Sequence, residues 1–460
     1  MQLTGKQILL DALKCRPTPR PAWVPFVGVH GGRLLGETAE TYLKSSRSLV
    51  DGLLRAIALY KPDGLPIVFD LQMEAEVLGC DLQWSADSPP AVISHPLEAG
   101  PSPEGLPPDL DLTAGRFPLV ADALERMKEL VGDTVALYGL ITGPFTLALH
   151  LRGHDIFLDM FEREQATIEL LEYCSRISVK AANFYIDHGA DVVAVVDPMT
   201  SQISPQHFAQ FVAAPVDAVF DHIRFRGTLS SLFVCGNATR NLEAMCQTGC
   251  DNISIDENID LAYIRDLATD AGKSFGGNLK LTQALLLGGP EDAERDTIRC
   301  LDVGKDVDGF ILAPGCDLAY DTPEQNLRAV ASMVHDEYHR EVVRRKMGVA
   351  GQDSFEDVEV PDYGSMDQVI IDVVTLNSST CAPCQYMMAA ARKAAEVAGC
   401  PVHVQEHKIT NRNGLGYMAK LGVSAIPTIC IQGKPLYSSI IPDRDTLIES
   451  IQSAWRGLQK

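Results

Sequence analysis

Two pairs of cysteines carry the sharpest chemical signal in this chain. Cys381 and Cys384 are spaced C-x-x-C where an extended apolar run, 367–376, gives way to a helical pattern through Met387, Met388, Ala391, Ala394 and Val397. Amide dipoles at a helix N-terminus stabilise a thiolate, which makes Cys381 the nucleophile of a dithiol–disulfide couple and Cys384 its resolving thiol. The alternatives are half of a zinc site or an inert relic of a fold, and Cys400 and Cys430 are too widely separated to look like the other half. The second pair, Cys235 and Cys316, terminates two separate apolar runs. Thiolates meeting from different strand ends are soft ligands for Zn2+, which can bind and deprotonate a substrate thiol or water. Free cysteines are also common as small buried packing residues, and that remains the alternative for both. Cys15, Cys80, Cys174, Cys246, Cys250 and Cys300 read as packing residues.

The elements that must position these groups are eight short apolar runs, 23–28, 64–70, 134–139, 191–197, 230–235, 252–256, 273–278 and 309–313, separated by helical patterns. Continuous apolar runs without strict alternation fit parallel strands buried on both faces, and alternation with helices fits repeated β-α units. Residues 1–345 therefore read as a (β/α)8 barrel, with the Pro-rich stretch 87–108 as an insertion. A doubly wound open sheet is the competing architecture, but no G-x-G-x-x-G follows the first run. Barrel enzymes build their sites at the carboxyl ends of the strands. Those positions hold His30 with Gly31-Gly32, Asp70, a turn at 139–142, Asp197, Cys235, Asp256, Asn278 and Cys316. Asp70, Asp197 and Asn278 are the candidate catalytic side chains. Each carboxylate serves equally well as a cap for the following helix or an acceptor for loop amides.

Ser204-Pro and Asp321-Thr-Pro read as helix starts, and Thr4 with Gln7 reads as a capping box opening an N-terminal amphipathic helix through Ile8, Leu9, Ala12 and Leu13. That pattern argues against a secretory leader. An acidic, Gly- and Pro-bearing run, 346–366, reads as a linker. Of 460 residues, 61 are acidic and 39 basic, for a net charge of −22, and this charge is uneven. The first 365 residues carry −24 and the remainder +2. Such a field excludes nucleic acid and anionic membrane surfaces as partners, and no apolar run is long enough to span a bilayer. Twelve scattered cysteines without a leader point to a reducing cytoplasm.

Several widely spaced blocks carry a resemblance: Phe69-Asp70 with Glu74-Ala75-Glu76-Val77-Leu78-Gly79, Gly143-Pro144-Phe145-Thr146, Val234-Cys235-Gly236-Asn237, Gly276-Gly277-Asn278 and Ile311-Leu312-Ala313-Pro314-Gly315-Cys316. Over residues 3 to 340 the chain resembles the uroporphyrinogen decarboxylase superfamily, and within it the branch of methylcobalamin:coenzyme M methyltransferases. The decarboxylases neutralise a polycarboxylate tetrapyrrole with an arginine-rich segment after the first strand, where this chain has only Arg33 close by. The methyltransferase branch implies zinc held by a His-x-Cys motif and a distant Cys, lowering the pKa of a thiol that attacks a methyl group on cobalt. Cys235 and Cys316 match the cysteines, but Phe233 occupies the place of the histidine. His30, Glu74 or Glu76, Asp197 and Asp256 are the possible substitute ligands.

Residues 367–460 resemble the thioredoxin/glutaredoxin fold, with Cys381-Ala-Pro-Cys384 at a strand-to-helix junction and Ile426-Pro427-Thr428 where that family has a cis proline facing the disulfide. Together these resemblances imply a corrinoid-dependent methyltransferase with a dithiol module in the same chain. Its partners would be a methylcorrinoid or corrinoid protein, a small thiol or other methyl acceptor, and a thiol–disulfide partner. Decarboxylation of a tetrapyrrole, or a corrinoid-binding redox carrier without catalysis, are the alternatives.

Overall fold

The computed structural model describes residues 3–347, 355, 358–379, 381–423 and 425–459. The chain divides into two compact units, residues 1–348 and 349–460.

In the first unit each of the eight apolar runs contributes a strand: β1 Ala22–Trp23, β2 Gly64–Pro66, β3 Ala136–Thr142, β4 Val192–Val196, β5 Leu229–Val234, β6 Asn252–Ile255, β7 Ser274–Leu279 and β8 Phe310–Pro314. All pair in parallel, in the order β1-β8-β7-β6-β5-β4-β3-β2. The expected turn at 139–142 is instead strand: Tyr138 to Thr142 stay in register with Val192 to Val196, because Leu140 and Ile141 continue the buried apolar run.

The two ends of this ladder meet at a narrow seam. Asp63 N donates to the Trp23 carbonyl at 2.9 Å, and Trp23 N donates to Asp63 Oδ2 at 2.8 Å. Arg20 grips the same carboxylate with two bonds, of 2.5 and 2.7 Å. The sheet thereby closes into a barrel whose interior is filled by Phe26, Phe69, Leu140, Ala194, Val196, Phe233 and Ala313. The N-terminal helix, Gly5–Leu13, has the anticipated Thr4–Gln7 capping box. Its Ile8, Leu9, Ala12 and Leu13 pack with Ala22, Ala136 and Val192 at the strand starts. It thus stoppers the amino-terminal end, at about 2 kcal/mol for each large side chain buried.

Ser204 caps its helix as read, accepting from His207 N at 3.1 Å. Asp321 does not: the last barrel helix, Glu324–His335, has Pro323 at its cap, and Asp321 accepts from Arg33 instead. The insertion at 87–108 lies outside the barrel sheet and supplies Ala91–Val92, which pairs antiparallel with Leu82–Gln83. Of the packing cysteines in this unit, all are buried except Cys15, which is half-buried.

The second unit has four strands, β9 Val369–Thr375, β10 Val402–Lys408, β11 Thr428–Ile431 and β12 Lys434–Ser438, in the order β10-β9-β11-β12. β9 and β10 are parallel and the other pairings antiparallel. Val369, Ile371 and Val373 face the helices Ala382–Val397 and Arg444–Leu458, while Val374 and Cys430 face the helix Arg412–Lys420. The hairpin turns at Gln432 and Gly433, with φ of 50° and 71°. Two successive positive φ values match the right-handed twist of the flanking strands. Within the run read as a linker, Phe355, Val358, Val360 and Tyr363 pack onto the second unit, and Tyr363 donates to Asp372 at 2.7 Å. Residues 348–354, 356 and 357 of that run lie outside the described residues.

The seam sets a stability test. Asp63→Ala leaves the Arg20 guanidinium and the Trp23 N–H without their acceptor, and is expected to cost about 3 to 5 kcal/mol in urea denaturation. A change below about 1 kcal/mol would show that closure does not rest on this carboxylate.

Candidate active site

Cys235 follows β5 and Cys316 follows β8, and the barrel brings their sulfurs to 2.8 Å. Two other strand-end residues hold the loops in place around them. The Asp256 carboxylate accepts from Gly236 N at 2.8 Å, Asn258 N at 2.8 Å and Asn258 Nδ2 at 2.6 Å. Asn278 donates to the carbonyls of Asp256 (3.1 Å) and Ile259 (2.6 Å), and accepts from Arg299. Beside the thiols lies Asp317, whose Oδ1 is buried without a hydrogen-bond partner. Gly28 has φ +38°, and a Cβ there would collide with the Asp317 carboxylate, so the close approach of these two loops requires glycine.

This corner of the mouth stores protons. The hydrogen bond with Cys316, then burial, then the negative groups Cys316, Asp256 and Asp317 push the Cys235 thiol well above its ordinary range. Burial first, and Cys316 second, raise Asp317 well above the usual carboxylate range. Burial and the neighbouring Asp256 push Glu257, the next residue along, up to about 8.

The remaining candidates are committed to other partners. Asp70 is ion-paired with Arg116 and accepts from Gln72 N at 2.8 Å. Arg116 also binds Glu76 at 2.8 Å. Glu74 accepts from Thr142 N at 3.1 Å and Thr142 Oγ1 at 2.8 Å. Asp197 lies against Gly143 and accepts from Phe145 N, Thr146 N and Thr146 Oγ1 at 3.1, 2.8 and 2.6 Å. It therefore caps the helix Pro144–Arg152, and burial lifts its carboxyl to about 6. His30 donates from Nδ1 to the Tyr320 carbonyl (3.0 Å) and accepts at Nε2 from the Tyr60 hydroxyl (2.8 Å).

These commitments decide how well a zinc ion would fit. Two thiolates on one tetrahedral zinc stand about 3.8 Å apart, given Zn–S bonds of about 2.3 Å, against 2.8 Å here. Phe233, in the position of the implied histidine, packs with Phe26 (4.8 Å between ring centroids) and Phe69 (5.9 Å). Among the described residues no group of three or more His, Cys, Asp or Glu side chains is placed to hold a metal ion. The residues present do not fit the zinc site implied by the resemblance.

Two residues missed in the sequence reading are Asp317 and Arg116. Asp317 carried a local signal, as a carboxylate adjoining Cys316. Arg116 carried none, since it reaches Asp70 across 46 residues of chain.

In the second unit Cys381 is the N-cap of the helix Ala382–Val397 and is joined to Cys384 by a disulfide. Glu406 on β10 anchors the preceding loop, accepting from Thr375 Oγ1 at 2.6 Å, Ser378 N at 2.7 Å and Ser378 Oγ at 2.9 Å. The Ile426–Pro427 peptide is cis. Thr380, directly before Cys381, and Ser424, two residues before Ile426, lie outside the described residues.

With this geometry in place, comparison with known proteins is informative. The uroporphyrinogen decarboxylase (URO-D) family model matches residues 4–337. A methylcobamide:CoM methyltransferase of Methanosarcina barkeri is 30% identical over 355 residues, covering 74% of this chain and 99% of the relative. The chain belongs to the uroporphyrinogen decarboxylase family. Another URO-D relative, a methylcobamide:CoM methyltransferase of Methanosarcina acetivorans, is 30% identical over 269 residues, covering 58% of this chain and 77% of the relative. The solved structure of a methyltransferase from Methanosarcina mazei superposes with a TM-score of 0.66 at 24% identity, covering 75% of this chain and all of that one, which supports the barrel fold. Among the described residues no helix is long and apolar enough to cross a membrane.

The role of His30 can be tested by pH. Burial lowers both His30 and His150 to about 4 in the folded chain. Because the unfolded chain takes up these protons first, each histidine contributes stability that is complete above pH 6.5 and is lost as pH falls toward 4. His30→Asn is expected to remove about 1.4 kcal/mol from the stability difference between pH 7.5 and 5.5, measured by urea denaturation. An unchanged difference would mean that His30 titrates freely.

Proposed function

We propose that this chain transfers a methyl group between a methylcorrinoid, free or protein-bound, and a small thiol, and that its second unit is a thioredoxin-like dithiol module. The observation that carries the first part is the buried carboxylate of Asp317, whose Oδ1 has no partner, at the carboxyl end of a URO-D family barrel. Relatives named methylcobamide:CoM methyltransferases support the choice of donor and acceptor.

In such a transfer the acceptor sulfur attacks the methyl carbon while the carbon–cobalt bond breaks and its electron pair stays on cobalt. The acceptor must first lose its proton. Asp317 is the group assigned to take it, because its free oxygen has no internal donor and its raised pKa makes it a stronger base than an exposed carboxylate. The ring cluster of Phe26, Phe69 and Phe233 forms an apolar floor that keeps water from competing. No step is assigned to zinc.

Support for the thioredoxin-like reading is the four-stranded mixed sheet with helices on both faces, Cys381 at a helix N-cap, the buried Cys384 and Pro427 at the start of β11. Its substrate would be a disulfide on a partner or on a small molecule. Decarboxylation of a polycarboxylate tetrapyrrole has less support, because Arg33 is already paired with Asp321 and the mouth is acidic.

Demethylation of methylcobalamin by a panel of small thiols, followed by the cobalamin absorption spectrum, tests the reading directly. Asp317→Asn is expected to lower the rate about 100-fold and to remove the acidic limb of its pH profile. A wild-type chain inactive with every thiol would overturn the proposal, and an unaltered Asp317→Asn profile would remove Asp317 from it. Phe233→His supplies the absent third donor, so zinc per chain, measured on purified protein, is expected to rise toward one from a lower wild-type value.

A further inference from the structure

Several features of the mouth are explained neither by a metal site nor by methyl transfer. Cys235 and Cys316 lie 81 residues apart in sequence, yet their sulfurs are 2.8 Å apart. The loops that carry them are built for this approach. Gly236, directly after Cys235, has φ +87°, and Gly315, directly before Cys316, sits where a Cβ would strike the Glu257 backbone. Asp256 ties Gly236 N in place. Both cysteines are partly buried, whereas Cys80, Cys174, Cys246, Cys250 and Cys300 are buried. The pair is therefore preformed and reachable. The other possible ligands, His30, Glu74 and Asp256, are already bonded to Tyr60 and Tyr320, to Thr142, and to Gly236 and Asn258 respectively.

We propose that Cys235 and Cys316 are a redox couple, cycling between a dithiol and an intramolecular disulfide across the barrel mouth by exchange with a low-molecular-weight disulfide. This deepens the proposed function, since the disulfide of a small thiol acceptor is the oxidant such a mouth would meet. Either sulfur of the pair can be the attacking one, because each lies within reach of the other. The attacking thiolate displaces one RS− from R–S–S–R, forming a mixed disulfide. The second cysteine then gives up its proton and attacks the sulfur of the first, forming the internal bond and expelling the second RS−. Two cysteine thiols and one R–S–S–R thus become one internal disulfide and two RSH. A C-x-x-C dithiol reverses the change, becoming a disulfide itself as it returns two hydrogens to the pair.

The test uses the full chain carrying Cys381→Ser and Cys384→Ser, which removes the second couple. The protein is equilibrated in buffers with varied ratios of reduced to oxidised glutathione, alkylated, and mapped by mass spectrometry. A peptide linking Cys235 to Cys316 is expected to accumulate as the ratio falls, with the buried cysteines alkylated only after unfolding. Cys316→Ser should abolish the link. The proposal fails if both residues remain alkylatable thiols at every ratio, or if both are protected by a stoichiometric zinc ion. A linked peptide in a chain that methylates no thiol would uphold the couple while removing the methyltransferase reading. Methyl transfer without any linked peptide would do the reverse.

Discussion

The barrel closes on a seam held by a single carboxylate. β1 is two residues long and β2 three, so the ladder between them has little backbone hydrogen bonding to offer. Asp63 compensates by accepting from the Trp23 amide and from Arg20 while its own amide donates to Trp23. The pairing of β1 with β8 sets the loop after β1 against the loop after β8, and there Gly28 admits Asp317. The ring cluster spans the same seam: Phe26 and Phe69 follow β1 and β2, and Phe233 reaches them from β5 across the interior. The position of Phe233 is thus structural, and it accounts physically for an aromatic ring where the family resemblance implies a ligand.

The electrostatics of the mouth follow from the same packing. Carboxylates and thiols are gathered in a low-dielectric corner with few cations, so burial favours their protonated forms. Arg116, the buried cation on the other side, is consumed by Asp70 and Glu76. A dithiol and a disulfide are both neutral, and either suits such an environment without adding charge. A thiolate acceptor does not, which is why a base with a free oxygen, Asp317, is central to the proposed transfer.

The sequence and the structure agree most closely where pattern is local. Apolar runs, helix caps at Thr4 and Ser204, and the C-x-x-C at a strand-to-helix junction are set by neighbouring residues, and each forms as read. The errors at Asp321 and at the end of β3 are shifts of a few residues where a competing partner or a continuing apolar run prevails. Strand-end positions were also legible, because a parallel barrel gathers eight of them at one face.

What each strand-end side chain does there was not legible. Asp70, Asp197, Asp256, Asn278 and His30 are all buried polar groups, and a buried polar group takes whichever partner the fold brings near. Those partners, Arg116, Thr146, Gly236, Ile259 and Tyr60, come from distant segments that no local pattern announces. The sequence by itself determined the eight strands and the C-x-x-C at a strand-to-helix junction, because residue type and periodicity are enough for these. Only the tertiary structure decided that Cys235 and Cys316 touch and that Asp317 is left with a free oxygen. Both facts depend on the distance between loops that follow different strands of a closed sheet, far apart in the chain.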